Sequence, residues 1–538
     1  MNGAQVLLDT LVANGVQVCF ANPGTSEMQF VAAVDAVPEM RAILALFEGV
    51  ATGAADGYGR MTGKPAATLL HLGPGLGNGI ANLHNARRAR TPLVNIVGDH
   101  ATYHKRYDPP LESDIESLAM PVSGWYGSPQ RVADLAAGAT DAVRAALGPP
   151  GQVATLVVPA DLTWTEVGQD AVTRPAGAVS TGRGANDATT GAIRESKPLQ
   201  VPEDDVERIA KLLRGGEPVM LLLGGTAVHE RGLAAASRVA RRTGARLLCE
   251  TFPANMVRGA GMPGVERLAY LAELAMAQLE GVRHLVLADA KAPVSFFAYP
   301  GKPSSLVPDG CQVHVLATSG HDVPGALEHL ASLLGTTGDE PEHHLAIRPE
   351  RPVGPLTASA LGAAIGAVLP EGAIVSDEGN TAGLFVYQET AGSPPHNWLC
   401  LTGGAIGQGL PVATGAAVAC PDRPVVCLEA DGSAMYTPQA LWTQAREGLN
   451  VTTVVLANHA YAVLEMELAR VGAGTAGPRA SSMLDIGNPD MDFVALARGM
   501  GVDSSRASTA EELVEALERA FGEPGPHLVE AVMPRGLG

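Results

Sequence analysis

The sequence predicts an α/β protein made of three doubly wound parallel-sheet domains. Three observations carry this. Segments with helical periodicity alternate with short, apolar, β-branched runs, the pattern of parallel strands covered on both faces. That alternation stops at two places, 166–200 and 337–354, which leaves domains over 1–165, 201–336 and 355–538. The length of 538 residues suggests three to four domains at about 150 residues each.

The elements follow in order. Residues 4–19 read as an amphipathic helix ending at Gly15 and running into a strand, then the turn ANPGTSE. Next come the strand AILALF, the helix EGVATGAADGYGRMTG, the strand AATLLHL, a glycine-rich turn GPGLGNG, the helix GIANLHNARRAR and the strand PLVNIVGD. The stretch 166–200 fills with Gly, Thr, Ala, Ser and Asn, the composition of a linker. The central block holds the strands PVMLLLGG, ARLLCE, HLVLADA and QVHVLA with the helices GLAAASRVARRTG and GALEHLASLLG. The last block runs from the helix TASALGAAIGAVL through the strands AIVSDEG, PVVCLEADGS and TTVVLAN to the pair EELVEALERAF and HLVEAVMP.

Composition narrows the function. A net charge of −19 disfavours nucleic acid and anionic membrane surfaces as partners. Hydrophobic residues at 46% against 17% charged fill large cores. The six cysteines are scattered without C-x-x-C pairs, which fits a reducing setting. No uncharged apolar run approaches the ~18 residues a membrane span needs, and Asp9 interrupts the apolar N-terminal stretch. A cytoplasmic protein is expected.

The most informative stretch is VVCLEADGSAMYTPQALWTQAREGLNVTTVVLANHAY. A buried strand delivers Asp431 at its carboxyl end, Gly432 and Ser433 are expected to make a tight turn, and a helix is expected after Thr437 with Pro438 at its first position. A second strand ends at Asn458, 27 residues after Asp431, so both oxygen-bearing side chains emerge at one sheet edge. Such ligands, completed by phosphate oxygens and water, suit Mg²⁺. Taken singly, Asp-Gly is ordinary turn chemistry and Asn an ordinary strand end.

This stretch resembles the cofactor motif of thiamine-diphosphate enzymes, G-D-G-S followed by Asn. One position departs, Ala430 standing where the family has Gly. The resemblance implies Mg²⁺ on Asp431, Asn458 and the main-chain oxygen of Ala460, with Gly432 and Ser433 on the diphosphate. The stretches FANPGTSEMQFVAAVD, LFEGVATGAADGYGRMTGKPA and HLGPGLGNGIANLHNARRARTPLVNIVGD are similar, in order and spacing, to the pyrimidine-binding domain of acetolactate synthases and benzoylformate decarboxylase. The resemblance covers most of 1–165 and 355–535.

Further roles follow from the resemblance. Glu48 is expected to hydrogen-bond the cofactor's aminopyrimidine ring and act in catalysis, although a carboxylate opening a helix also serves the helix dipole. Ile406, among the glycines of LTGGAIGQGLP and next but one to Gly404, aligns with the apolar residue that holds the cofactor bent. Glu378, Gly379, Asn380 and Thr381 follow a strand where the diphosphate-binding domain starts and are expected to add contacts. His71 matches a histidine of benzoylformate decarboxylase and is expected to relay protons; a lone buried histidine is otherwise a satisfied polar group. Thr25 aligns with a Ser that contacts substrate in that decarboxylase, and His104, in the basic loop DHATYHKRYDPPLES, is a further substrate candidate. Tyr461 and Leu464 fall where the family lines its cofactor and substrate pocket.

The implied activity is decarboxylation of a small 2-oxo acid with carboligation onto an acceptor carbonyl compound, acetolactate-synthase-like. Benzoylformate-decarboxylase-like decarboxylation or C–C lysis is the alternative, favoured by His71 and weakened by the lack of a histidine in SFFAYPG. A catalytically silent, cofactor-binding homologue is the alternative of another class. FAD is not expected, since GGTAVHERG and SFFAYPG show no recognisable flavin contacts. A nicotinamide enzyme is a weak alternative, since GPGLGNG has no G-x-G-x-x-G register, Asn78 taking the third position. The resemblance implies a homodimer at minimum and a homotetramer as the full assembly.

Overall fold

The computed structural model describes residues 1–168, 197–472 and 476–535. Most of the expected first linker, 169–196, lies outside the described residues. The chain forms two compact units, one of Met1–Ser196 with Thr402–Pro421 and Tyr436–Leu449, the other of Lys197–Leu401, Asp422–Met435 and Asn450–Gly538.

The first unit is built on six parallel strands, β1 (Val18–Asn22), β2 (Arg41–Leu44), β3 (Ala66–Leu70), β4 (Leu93–Asp99), β5 (Trp125–Gly127) and β6 (Val153–Pro159), in the order β2-β1-β3-β4-β6-β5. Asn22 pairs with Leu70 and Leu70 with Val97, so β1, β3 and β4 end side by side. The order reverses between β1 and β3, where ligands of open α/β sheets bind. Leu7, Leu8 and Leu11 of the helix Gly3–Ala13 pack with Val94, Ile96, Leu135 and Val143 over one face.

The helix Glu48–Thr62 is buried on nearly every side, which explains its small residues. A Cβ on Gly57 would lie 2.1 Å from the Val412 carbonyl oxygen, and one on Gly415 would lie 1.8 Å from that of Ala54. The helices Glu48–Thr62 and Gly409–Ala419 therefore touch backbone to backbone.

The glycine-rich GPGLGNG is not the expected turn. It forms the first turns of one helix, Leu72–Ala89. Its glycines remove side chains at close approaches: a Cβ on Gly73 would meet Ser113 Oγ at 1.8 Å, and one on Gly79 would meet Thr52 Cγ2 at 2.9 Å. Packing here outweighs a propensity cost of about 1 kcal/mol per glycine.

The second unit holds two sheets. β7 (Val219–Leu223), β8 (Arg246–Cys249), β10 (Glu266–Arg267), β11 (His284–Ala288) and β12 (Gln312–Ala317) form a parallel sheet in the order β10-β8-β7-β11-β12. The other sheet is β17-β18-β16-β15-β13-β14-β9, comprising β9 (Met256–Arg258), β13 (Ile374–Glu378), β14 (His396–Cys400), β15 (Val425–Ala430), β16 (Val451–Ala457), β17 (Asp503–Ala507) and β18 (His527–Val532). It is parallel except for β9, which runs antiparallel to β14. The expected strands do not include β9, β10 and β17, which are short or polar edge strands without apolar alternation, nor β5, β6 and β14, of which β6 is buried along its whole length.

Two local expectations also change. Gly432 and Ser433 lie in a single helical turn, Asp431–Ala434, because the chain turns helical directly off β15. Pro438 is the N-cap of the helix Gln439–Glu447, not its first residue. Otherwise the three parallel-dominated sheets agree with the expected fold class.

Candidate functional site

In the first unit, polar groups gather beyond the carboxyl ends of β1, β3 and β4. Glu48 opens its helix and is only 7% exposed, with its charge on the favourable end of the helix dipole. Its Oε2 accepts a hydrogen bond of 3.0 Å from Asn78 Nδ2. A Cβ on Gly75 would stand 2.9 Å from Glu48 Oε1, so glycine there lets the helix Leu72–Ala89 approach the carboxylate.

His71 directly follows β3 and is the N-cap of that helix. Its Nδ1 lies 2.8 Å from Oε2 of Glu27, a carboxylate 3% exposed, and 3.2 Å from Ser26 Oγ. Ser26 Oγ donates to Glu27 Oε1 at 2.5 Å and Gly24 N–H to Oε2 at 2.7 Å. Side chains at Gly24 or Gly98 would strike this pair, a Cβ lying 2.2 Å from His71 Nδ1 or 1.8 Å from Glu27 Oε1. The sequence reading missed Glu27, Ser26 and Asn78; the available signal for Glu27 was a carboxylate closing the turn NPGTSE. Thr25 is exposed, and the hydroxyl that reaches His71 is Ser26's.

His104 is exposed at the start of the turn Lys105–Tyr107, its ring 5.7 Å from that of His100 and 6.0 Å from that of Tyr107. The loop around Gly404 and Ile406 is fastened at several points. His84 Nε2 donates to the Gly403 carbonyl at 3.1 Å, Asn85 Nδ2 to that of Ala405 at 2.8 Å, and Asn82 and Thr437 to that of Gly407 at 3.2 and 2.9 Å. Gly404 and Gly407, at φ of 74° and 90°, supply the left-handed backbone on either side of the half-buried Ile406.

In the second unit, β13, β15 and β16 are neighbours, with Glu378 opposite Glu429 and Ala430 opposite Leu456. Glu378, Asp431 and Asn458 therefore stand at three adjacent strand ends. Asp431 Oδ1 accepts from Gly432 N–H at 2.8 Å and Oδ2 from His459 N–H at 2.6 Å. Burial raises the Asp431 carboxyl above its ordinary range, and these backbone donors oppose the rise. Asn458 Oδ1 accepts from Ala460 N–H at 3.1 Å, and His459 takes a left-handed φ of 58° that turns the chain at the strand end.

Tyr461 lies on the Asp431–Ala434 turn: a Cβ on Gly432 would be 2.4 Å from its ring. Asn380, at φ 46°, donates from Nδ2 to Ser433 Oγ at 3.1 Å, linking the loop of Gly379 and Thr381 to the same turn. Leu464 is half exposed on the helix Ala462–Arg470. The Asp431 carboxylate, the Asn458 side-chain oxygen and the Ala460 main-chain oxygen are oxygens suited to a hard cation, whose charge would offset the burial of Asp431.

Residues 1–118 match the family described as thiamine pyrophosphate enzyme, N-terminal TPP binding domain, and residues 377–531 match its C-terminal TPP binding domain. A protein of Mycobacterium tuberculosis described as "Putative acetolactate synthase large subunit IlvX" is 57% identical over 541 residues, covering 100% of each chain. Benzoylformate decarboxylase of Pseudomonas aeruginosa is 29% identical over 97% of each chain. The solved structure of a thiamine diphosphate-dependent 4-hydroxybenzoylformate decarboxylase from Rhodococcus jostii superimposes with a TM-score of 0.84 at 25% identity, covering 100% of each chain. Among the described residues, no helix is long and apolar enough to cross a membrane.

Proposed function

Because the chain belongs to the thiamine pyrophosphate enzymes, we propose that it decarboxylates a small 2-oxo acid and joins the remaining fragment to an acceptor carbonyl compound, as an acetolactate-synthase-like enzyme. The observation that carries this reading is Glu48, a buried carboxylate at a helix start with one oxygen held by Asn78. The 57% identical relative supports the acetolactate-synthase branch.

Thiamine diphosphate, when bound, supplies the carbon nucleophile and electron sink that decarboxylation of a 2-oxo acid needs. In this reading Asp431, Asn458 and the main-chain oxygen of Ala460 hold Mg²⁺. Gly432 and Ser433, with Glu378, Gly379, Asn380 and Thr381, cradle the diphosphate, and Gly404, Ile406 and Tyr461 shape the rest of the cofactor's bed. Glu48 exchanges a proton with the aminopyrimidine ring. His71, oriented by Glu27, moves a proton at the substrate, and Thr25, His104 and Leu464 line the substrate's approach. FAD has no place in this reading. The active unit is a homodimer or a homotetramer of it, in the reducing cytoplasm, where six free cysteines are tolerated.

A second reading, simple decarboxylation of an aryl 2-oxo acid, is favoured by the His71–Glu27 pair. The test is to load the protein with thiamine diphosphate and Mg²⁺, offer pyruvate, 2-oxobutyrate and benzoylformate separately, and follow CO₂ with ligated and aldehyde products. CO₂ with a ligated hydroxy-keto acid from pyruvate is expected. Aldehyde alone from benzoylformate would replace the first reading by the second, and no turnover of any substrate would overturn both.

A further inference from the structure

His100 follows β4 directly and has no part in the site as described so far. Its backbone N–H donates to Asp99 Oδ1 at 2.7 Å, while its ring Nε2 is buried and has no hydrogen-bond partner among the described residues. A buried ring nitrogen left unpaired is costly, and native folds rarely keep one without a use.

The surroundings say what use it has. Leu70 pairs with Val97 in adjacent parallel strands, so His71 and His100 both lie just past the carboxyl ends of β3 and β4, strands about 4.8 Å apart. Glu27 reaches across the same edge, as its contact with Gly98 shows. The loop that carries His100 is pinned on both sides. Lys105 Nζ bridges Asp99 at 2.5 Å and Glu112 at 3.2 Å, Thr102 donates from its backbone N–H and its hydroxyl to Asp161 at 2.9 and 2.6 Å, and Ser113 lies on the first turn of the helix that His71 caps.

The cations of this loop are already engaged. Lys105 is held by its two carboxylates, and Arg106 Nη2 donates to the Tyr107 hydroxyl at 2.7 Å with its guanidinium 4.8 Å from that ring. His104 is exposed and packs against His100 edge-on. The His100 ring therefore carries an unengaged nitrogen, in a loop pinned on both sides, just past the sheet edge where α/β ligands bind.

We infer that His100 binds the carboxylate of the 2-oxo acid through its Nε2–H, as a substrate-positioning residue beside His71. This rests on the proposed 2-oxo acid reading and deepens it.

The test uses the loaded full-length protein and three chains, the unaltered one, His100→Leu and His100→Gln, because glutamine can place an N–H where Nε2 stands. Binding of acetylphosphonate, a 2-oxo acid analogue that cannot lose CO₂, is measured by calorimetry alongside KM, kcat, thiamine diphosphate affinity and Tm. His100→Leu should weaken the analogue and raise KM at least tenfold, with kcat, cofactor affinity and Tm little changed, and His100→Gln should restore most of the loss. Unchanged analogue binding in His100→Leu would overturn the assignment while the unaltered protein's turnover leaves the functional reading standing. A loss that tracks a lowered Tm and that glutamine does not rescue would also overturn it, in favour of a purely structural histidine. Failure of the unaltered protein to turn over any 2-oxo acid would overturn both.

Discussion

Glu27 Oε2 lies 2.8 Å from His71 Nδ1 although 44 residues separate the two in the chain. The carboxylate is fixed by Gly24 N–H and Ser26 Oγ before it meets the ring. Held this way, His71 carries its proton on Nδ1 toward Glu27, which leaves Nε2 as the nitrogen able to exchange a proton with another group. Ser26, and not Thr25, completes the cluster because in the 3-10 turn Thr25–Glu27 consecutive side chains point about 120° apart, and Ser26 is the one that faces the ring.

If His71 moves a proton in turnover, His71→Ala should lower kcat by about 10²-fold or more. Glu27→Gln should cost less, and adding it to His71→Ala should change nothing further, since one residue acts through the other. Steady-state kinetics of the two single variants and the double variant decide this; additive losses would separate the two residues.

Glu48→Gln should abolish turnover while leaving Mg²⁺-dependent cofactor binding within a few-fold of normal. Asn78→Ala should lower kcat by about 10- to 100-fold, comparable to the loss of one hydrogen bond to a charged group of roughly 1.5–3 kcal/mol. Single-turnover rates against fluorescence-monitored cofactor binding give the comparison, and a Glu48→Gln chain with normal turnover would remove the role assigned to it.

Gly432→Ala would place a Cβ 2.4 Å from the Tyr461 ring, forcing the Asp431–Ala434 turn and the ring apart. Cofactor affinity should fall at least tenfold. Asp431→Asn should weaken Mg²⁺-dependent loading further still, because it removes the charge that a divalent cation would meet. Titrations of thiamine diphosphate at fixed Mg²⁺ measure both.

Two glycines should respond in opposite directions. Gly415→Ala drives a methyl group into the Ala54 carbonyl and should destabilise the first unit by about 1–3 kcal/mol. Gly77→Ala, in the helix Leu72–Ala89 with open space where the Cβ would go, should stabilise by roughly 0.5–1 kcal/mol. Thermal unfolding of each variant reads the sign.

His396 supplies a pH dependence. Its Nδ1 donates to the Pro394 carbonyl, its Nε2 lies 3.3 Å from Arg258 Nη1, and burial followed by the Arg258 charge pushes its pKa down to about 3. In the unfolded chain the ring returns to its ordinary value of about 6.5. Between these values the unfolded state binds the extra proton, so this group's contribution is full above pH 6.5 and is lost as pH falls toward 3, at up to about 1.4 kcal/mol per pH unit. His396→Gln should flatten that part of the acid-denaturation profile, measured by urea unfolding between pH 7 and 4.

The parallel sheets were legible in the sequence because their strands are buried on both faces and read as continuous apolar runs such as VMLLL and HLVLA. So were the strand ends that carry Asp431 and Asn458, since local turn chemistry and spacing place them without reference to distant residues. Close approach between helices was not legible. The glycines of GPGLGNG look like a turn in sequence and sit in a helix because Glu48, Thr52 and Ser113 press against them. Nor were the short edge strands β9, β10 and β17, whose pairing depends on a neighbour's backbone and not on their own side chains, and β5, β6 and β14 were absent from the expected strands although β6 is an apolar, fully buried run.

By itself, then, the sequence determined the α/β class, many of the buried strands along the chain and the oxygen-bearing residues at the ends of two of them, because burial periodicity and turn residues act over a few positions of chain; the order of the strands within each sheet came only from the tertiary structure. The tertiary structure alone decided that Glu27 and Ser26 meet His71, that Asn78 holds Glu48, and that His100, at the same sheet edge as His71, carries a buried ring nitrogen without a partner among the described residues. Those relationships arise where separate strand ends converge, and convergence is a property of packing that local sequence does not encode.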